Sequence, residues 1–271
     1  MSARYASPGR SPRGAPPARQ VYEMARRSIL QTLRQPALII PPIVFPLIMM
    51  AINTGGLDAA TNLPGFPADT YLDFAIAVPF MQCALFACIN AGAALARDVE
   101  TGFLKRLAMT PMQRAALLIG QLGGVMVVAL ISALIYLVVG FAAGMDFEAG
   151  PAGILALIVL ALLISLAFAA LGAFVGLRSG SGETVQGFFP LFFVLLFLSS
   201  MSLPRPLIEQ DWFRFIATYT PVSYLIEGIR SFIITGWDVE ALALGFGVAI
   251  AMAAAAIAAA SSALKTRLVR T

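Results

Sequence analysis

The chain contains no histidine. That removes the commonest metal ligand and the commonest general base. Its two cysteines, Cys83 and Cys88, share one apolar run but not one helix face, so they read as small packing residues rather than a metal or redox pair. Its lysines are Lys105 and Lys265, and neither follows a glycine. The sequence therefore has no G-x-x-x-x-G-K-[ST] phosphate loop. Charge is scarce: 12% of residues are Asp, Glu, Lys or Arg, where a soluble domain carries about 25%. No convergent acids and no metal set stand out. We expect no catalytic residues, no bound metal or cofactor and no nucleic-acid partner, which disfavours a membrane-embedded enzyme.

What the chain has is apolar length. It is 59% hydrophobic over 271 residues, which reads as one integral membrane domain. A helix needs about 20 apolar residues to cross a bilayer. Six runs qualify, at about 36–57, 74–96, 115–145, 150–177, 184–204 and 241–264, the first interrupted by Pro41, Pro42 and Pro46. Together they form a permease-sized domain over 36–268. Residues 1–19 are rich in Pro, Arg, Ser and Gly and lack the apolar core of a secretory signal, so they read as a disordered tail. Residues 20–35 read as an amphipathic helix at the interface, with Val21, Ala25, Ile29 and Leu33 recurring at helical spacing.

Positive charge fixes an orientation. With both termini and the 97–114 and 178–183 loops in the cytoplasm, only Arg205, Arg214 and Arg230 of the 18 Lys/Arg lie outside. Only Glu23, Asp98, Glu100 and Glu183 of the 14 Asp/Glu then lie inside. No run carries a charge near its centre, where proton and ion paths place one, which argues against a proton-coupled transporter. The polar groups Gln82, Asn90 and Gln121 suit hydrogen bonds between helices or a substrate path. The pairs Gly120–Gly124, Gly140–Gly144 and Gly172–Gly176 allow close helix approach within the bundle.

Two segments are not spans. Residues 205–235 are apolar and aromatic yet broken by charge. They suit two short helices re-entering the outer leaflet, turning at Thr220–Pro221, with Glu227 and Arg230 able to pair at i, i+3 and Trp212 and Trp237 at the interface. Residues 97–110 suit a short surface helix. Val99, Phe103 and Leu107 form one apolar stripe, Arg97, Asp98, Glu100, Lys105 and Arg106 spread elsewhere, and Thr110–Pro111 ends it. Topology needs only the basic residues. The added acids and Phe103 favour a protein-docking surface.

The stretch "RDVETGFLKRLAMTPMQRAALLIGQLGG" resembles the signature of the type-2 ABC transporter permeases, through Glu100, Gly102, Leu104, Arg106, Leu107, Thr110 and Pro111. "TYTPVSYLIEGIRSFIITG" resembles that family's motif before the last span, with Tyr219–Thr220 in place of Asn before Pro221. Within the family, the look is closest to daunorubicin/doxorubicin-type drug-export permeases. The resemblance implies an all-α membrane protein of six spans, with a coupling helix between spans two and three and a re-entrant hairpin before span six.

It also implies that Asp98, Glu100, Gly102, Phe103, Leu104, Lys105, Arg106, Leu107, Thr110 and Pro111 dock a separate ATP-binding subunit, two copies per complex, which holds ATP and Mg. The hairpin, with Pro221, Tyr224, Glu227 and Arg230, would cap an exit. A second permease chain, identical or not, would complete a cleft. Phe80, Gln82, Phe86 and Asn90 of span two and Phe188, Phe189, Phe192, Phe193 and Phe197 of span five are candidates to line it or to face lipid. The expected activity is outward movement of a hydrophobic or amphipathic compound across the plasma membrane of a prokaryote. Export of polysaccharide or lipid-linked glycan is the alternative, and a secondary transporter or channel is the competing class.

Overall fold

The computed structural model describes residues 17–103 and 114–269, and among them every regular element is helical. Five segments are long and apolar enough to cross a membrane: Pro36–Asn62, Tyr71–Glu100, Leu118–Ala142, Gly150–Ser179 and Val239–Arg267. Within them lie α2 (Pro36–Leu57), the short α3 (Tyr71–Ala75), α4 (Ala77–Glu100), α5 (Arg114–Ala142), α6 (Gly150–Ser179) and α11 (Val239–Val269). The helix α1 (Pro17–Leu33) precedes them.

The expected span at 184–204 is not one long helix. It forms α7 (Gly182–Gly187) and α8 (Phe189–Phe197), broken at Phe188. Pro190 has no N–H to bond the Gln186 carbonyl and its ring crowds that carbonyl, which favours the break seen at Phe188. Gly182–Phe197 would rise about 24 Å if straight, short of a ~30 Å hydrocarbon core. The chain still joins the two ends of the bundle here. The Gly182 amide donates to the Glu100 carboxylate at 3.3 Å, and the Ser200 amide donates to Ser223 Oγ at 3.0 Å. Pro79 has the same effect at Ile76, where α3 gives way to α4.

The three prolines expected to interrupt the first span leave α2 a single helix. Each proline orphans the carbonyl four residues earlier. The structure supplies donors from other helices. Asn90 Nδ2 donates to the Leu38 carbonyl, freed by Pro42, at 3.3 Å. The Tyr136 hydroxyl donates to the Pro42 carbonyl, freed by Pro46. In lipid no water could do this, so the helix survives on side chains of α4 and α5.

α4 is the central post: the apolar stretch of Tyr71–Glu100 is 83% buried, against 17% for that of Pro36–Asn62. It meets α6 along a glycine seam. A Cβ at Gly172 or Gly176 would collide with the backbone of Cys88 or Gly92. The Gly172–Gly176 spacing thus does allow close approach within the bundle. Gly120 and Gly124 of α5 do the same for α1, meeting Met24, Ser28 and Thr32. Met24 and Ser28 are buried, Val21, Ala25 and Ile29 half-buried and Leu33 exposed, so the buried face is offset from the expected stripe by one residue, about 100°. The close approach to glycine selects that face.

The last third of the chain folds as α9 (Asp211–Tyr219), α10 (Pro221–Arg230), a π turn (Ser231–Thr235) and α11. Pro221 starts α10 as expected, but Thr220 does not cap it through its side chain. Its hydroxyl donates back to Ile216 O at 2.7 Å. α10 runs antiparallel to α11, with Gly228 and Gly245 face to face. Leu225, Ile226 and Ile229 are fully buried in the main core.

Candidate functional site

Three places concentrate polar chemistry. The first is the end where α1, α4, α5, α6 and α11 bring their basic termini together. α4 ends at Glu100, and Gly102 takes φ +67° so that the chain can turn off the helix, with Thr101 and Gly102 amides closing onto the Arg97 and Val99 carbonyls. Asp98 does not join the exposed charged face. It is 9% exposed, and its carboxylate accepts from Gln121 Nε2 of α5. The Gln121 carbonyl in turn accepts from Ser28 Oγ of α1 at 2.8 Å. Glu100 is exposed and caps α7 through the Gly182 amide. Phe103 is half-buried, with the Arg27 guanidinium 4.2 Å from its ring centroid. So α1, α4, α5 and α7 are wired together at the point where the charged segment begins. Leu104, Lys105, Arg106, Leu107, Thr110 and Pro111 lie outside the described residues.

The second place is a cleft of about 340 Å³ between α2, α4 and the α7–α8 break. Phe86, Asn90, Phe189 and Gln186 line it beside Pro41 and Pro42. The expected path residues divide. Phe86 packs tilted against Phe189 (ring centroids 5.9 Å) and Phe189 stacks on Phe193 (5.5 Å), with Phe45 of α2 joining Phe86 and Phe193 at 6.1 and 6.2 Å. Phe192 leans on Phe168 and on Phe188, the latter exposed. Phe80 and Gln82 are not brought to this cleft. Phe80 is buried edge-on against Tyr136 at 5.4 Å, and Gln82 is buried in the bundle.

The third place is the opposite end. Arg230 is 5% exposed and donates to three carbonyls: Phe74 at 2.8 Å, Ser200 at 2.5 Å and Met201 at 2.6 Å. Its guanidinium also lies 3.4 Å from the Phe74 ring centroid. The expected Glu227–Arg230 pair does not form. Glu227 instead takes a bidentate ion pair from Arg205. Burial lowers the Arg205 pKa, but hydrogen bonds and charge from Glu227 more than offset that, leaving it raised. Arg205 also lies over the Tyr224 ring at 4.5 Å. Pro221 opens the helix that carries Tyr224, Glu227 and Arg230, so the four expected residues share one element. A cleft of about 450 Å³ opens beside Arg205, Glu227 and Arg230.

Sequence reasoning missed Arg205, Phe45, Tyr136 and Arg27. Each acts through a partner on another element, and nothing local marks it. Among the described residues no group of His, Cys, Asp and Glu is placed to hold a metal ion.

A family model described as "ABC-2 type transporter" matches residues 19–234. The chain belongs to that family. Membership makes it the permease part of an ABC transporter, a multi-pass membrane protein whose partner is an ATP-binding subunit. It is also similar to a protein of Porphyra purpurea named "Putative transport permease ycf38", at 28% identity over 222 residues, covering 78% of this chain and 72% of that relative. The matched region takes in the 97–111 segment, the aromatic cleft and the Arg230 clamp.

Proposed function

We propose that this chain is the transmembrane subunit of an ATP-driven exporter, moving a hydrophobic or amphipathic compound out of the cytoplasm or inner leaflet. The observation that carries the reading is the wired basic end. Family membership requires an ATP-binding partner. The segment entering 97–110 is tied by hydrogen bonds and a cation–π contact to α1, α5 and α7, so a push there reaches several helices at once. In this reading 97–110 is the coupling helix, both termini are cytoplasmic, and the broken α7–α8 segment makes the sixth crossing. The 205–235 segment is a re-entrant cap over the exit.

The complex holds two permease chains and two ATP-binding subunits, since one small bundle offers only a lateral cleft. The chain itself hydrolyses nothing; ATP and Mg belong to the partner. A drug-export subtype fits the aromatic cleft, which carries no charged side chain. Export of polysaccharide or lipid-linked glycan would call for a longer polar channel.

The test is co-purification and ATP-driven transport with a P-loop subunit encoded beside this chain. Reversing Lys105→Glu with Arg106→Glu should abolish both while membrane insertion stays normal. Unchanged association and transport in that variant would overturn the coupling role.

A further inference from the structure

Phe86, Asn90, Ala93, Ala94 and Arg97 fall on one stripe of α4, at successive helical turns. Two cavities lie along this stripe, and Asn90 borders both. Toward Phe86 is the apolar cleft of about 340 Å³. Toward Arg97 is a polar cavity of about 80 Å³ between α1, α2, α4 and α5, walled by Gln31, Gln35 and Gln121. The alanines between leave the stripe open where a larger side chain would fill it. From Arg97 to Phe86 the stripe runs about 16 Å, the reach of a headgroup plus the first part of a chain.

Arg97 and Asp98, the charged side chains lining the polar cavity, form no ion pair with each other. Asp98 is taken up by Gln121 and faces both Arg27 and Arg97. Arg27 is held over Phe103. Arg97 is exposed at the cavity rim and forms no ion pair within 4.0 Å among the described residues. With Asp98 taken up by Gln121, the Arg97 guanidinium at the rim is the charge left open to a ligand. The adjoining cleft offers aromatic rings and proline, and no charge. Head and tail requirements therefore point the same way along one helix face.

We propose that the two cavities form one binding site for an amphiphile with an anionic head, its phosphate or carboxylate at Arg97 and its apolar chain along Phe86 and Phe189. The proposal rests on the permease reading for its role but not for its chemistry. Such a ligand comes either from the cargo or from a resident lipid of the same leaflet.

The test uses the full chain in nanodiscs of neutral lipid, titrated with fluorescent long-chain alkyl phosphate, the matching alkyl alcohol and the matching trimethylammonium. The phosphate should bind best. Arg97→Gln should weaken it roughly tenfold, to the level of the alcohol, and Arg97→Lys should retain most of it. Phe189→Ala should weaken all three long-chain probes, while a short-chain phosphate senses Arg97 but not Phe189. No head preference in the unaltered chain, or one that survives Arg97→Gln, overturns the site.

ATP-driven transport assayed with the partner subunit separates the two readings. Transport that persists with an Arg97-insensitive head preference sinks the site and spares the permease. An Arg97-dependent site whose probe is never transported makes the ligand a resident lipid. Transport of the phosphate, reduced in Arg97→Gln, makes it cargo.

Discussion

The carbonyls of Leu38 and Pro42 have lost their helical donors to Pro42 and Pro46, and Asn90 and Tyr136 stand in. The prolines were plain in the sequence. The repair was not, because the donors sit 52 and 94 positions away. Removing the Tyr136 hydroxyl leaves a buried carbonyl unpaired, at a cost of about 1–3 kcal/mol. Tyr136→Phe should therefore lower the apparent Tm in detergent. Pro46→Ala restores a backbone N–H to the same carbonyl, so adding it should shrink the Tyr136→Phe penalty. A penalty of full size in the double variant would show that the hydroxyl's bond to Pro42 is not what matters. Arg230 follows the same logic at the far end, one guanidinium serving three carbonyls. Its neighbour in sequence, Glu227, looked like its partner because i, i+3 residues share a helix face. Arg205 reaches Glu227 first, and no local pattern could have shown that.

At the scale of elements, two of the three glycine spacings make close helix contacts, but Gly144 of the Gly140–Gly144 pair lies past the end of α5 with φ +90° and meets nothing within 4 Å. Gly172 and Gly176 bring α6 onto the backbone of α4, and Gly120 and Gly124 bring α5 onto α1. Gly176→Val would drive a branched side chain into the Gly92 backbone. It should abolish a monodisperse peak in size-exclusion chromatography. Gly247→Ala on α11 meets nothing within 4 Å and should behave as the unaltered chain, or better, since alanine favours helix. If both variants purify alike, the seam is not tight. The 184–204 run was legible as apolar but not as two helices, because hydropathy does not register that Pro190 removes a backbone hydrogen bond. The Thr220–Pro221 turn was readable because proline starts a helix as reliably as it breaks one.

For the whole molecule, composition decided the class at once and charge asymmetry gave a testable sidedness. Asp69 and Glu183 lie at opposite ends of the bundle, at the turns before α3 and within α7. In a Cys83→Ala, Cys88→Ala background, Asp69→Cys should react with a membrane-impermeant maleimide on intact cells. Glu183→Cys should react only after permeabilisation. Labelling on the same side would contradict the three crossings between them, made by α4, α5 and α6. The proposed docking surface was legible as a charged segment between two apolar runs. Its wiring into α1 was not, since Ser28 meets Gln121, and Arg27 meets Phe103, only once the helices are packed.

The central position of α4 carries a consequence for synthesis. This helix leaves the ribosome early, yet its closest partner, α6, follows only after residue 150 and its glycine seam only near residue 172. Until then the most enclosed span of the finished protein lacks the partner that covers its glycine face, although α5 already shelters Asp98 through Gln121. A nascent chain stalled before α6 would display that bare face to the membrane's quality-control proteases, and α6 is the element that covers it.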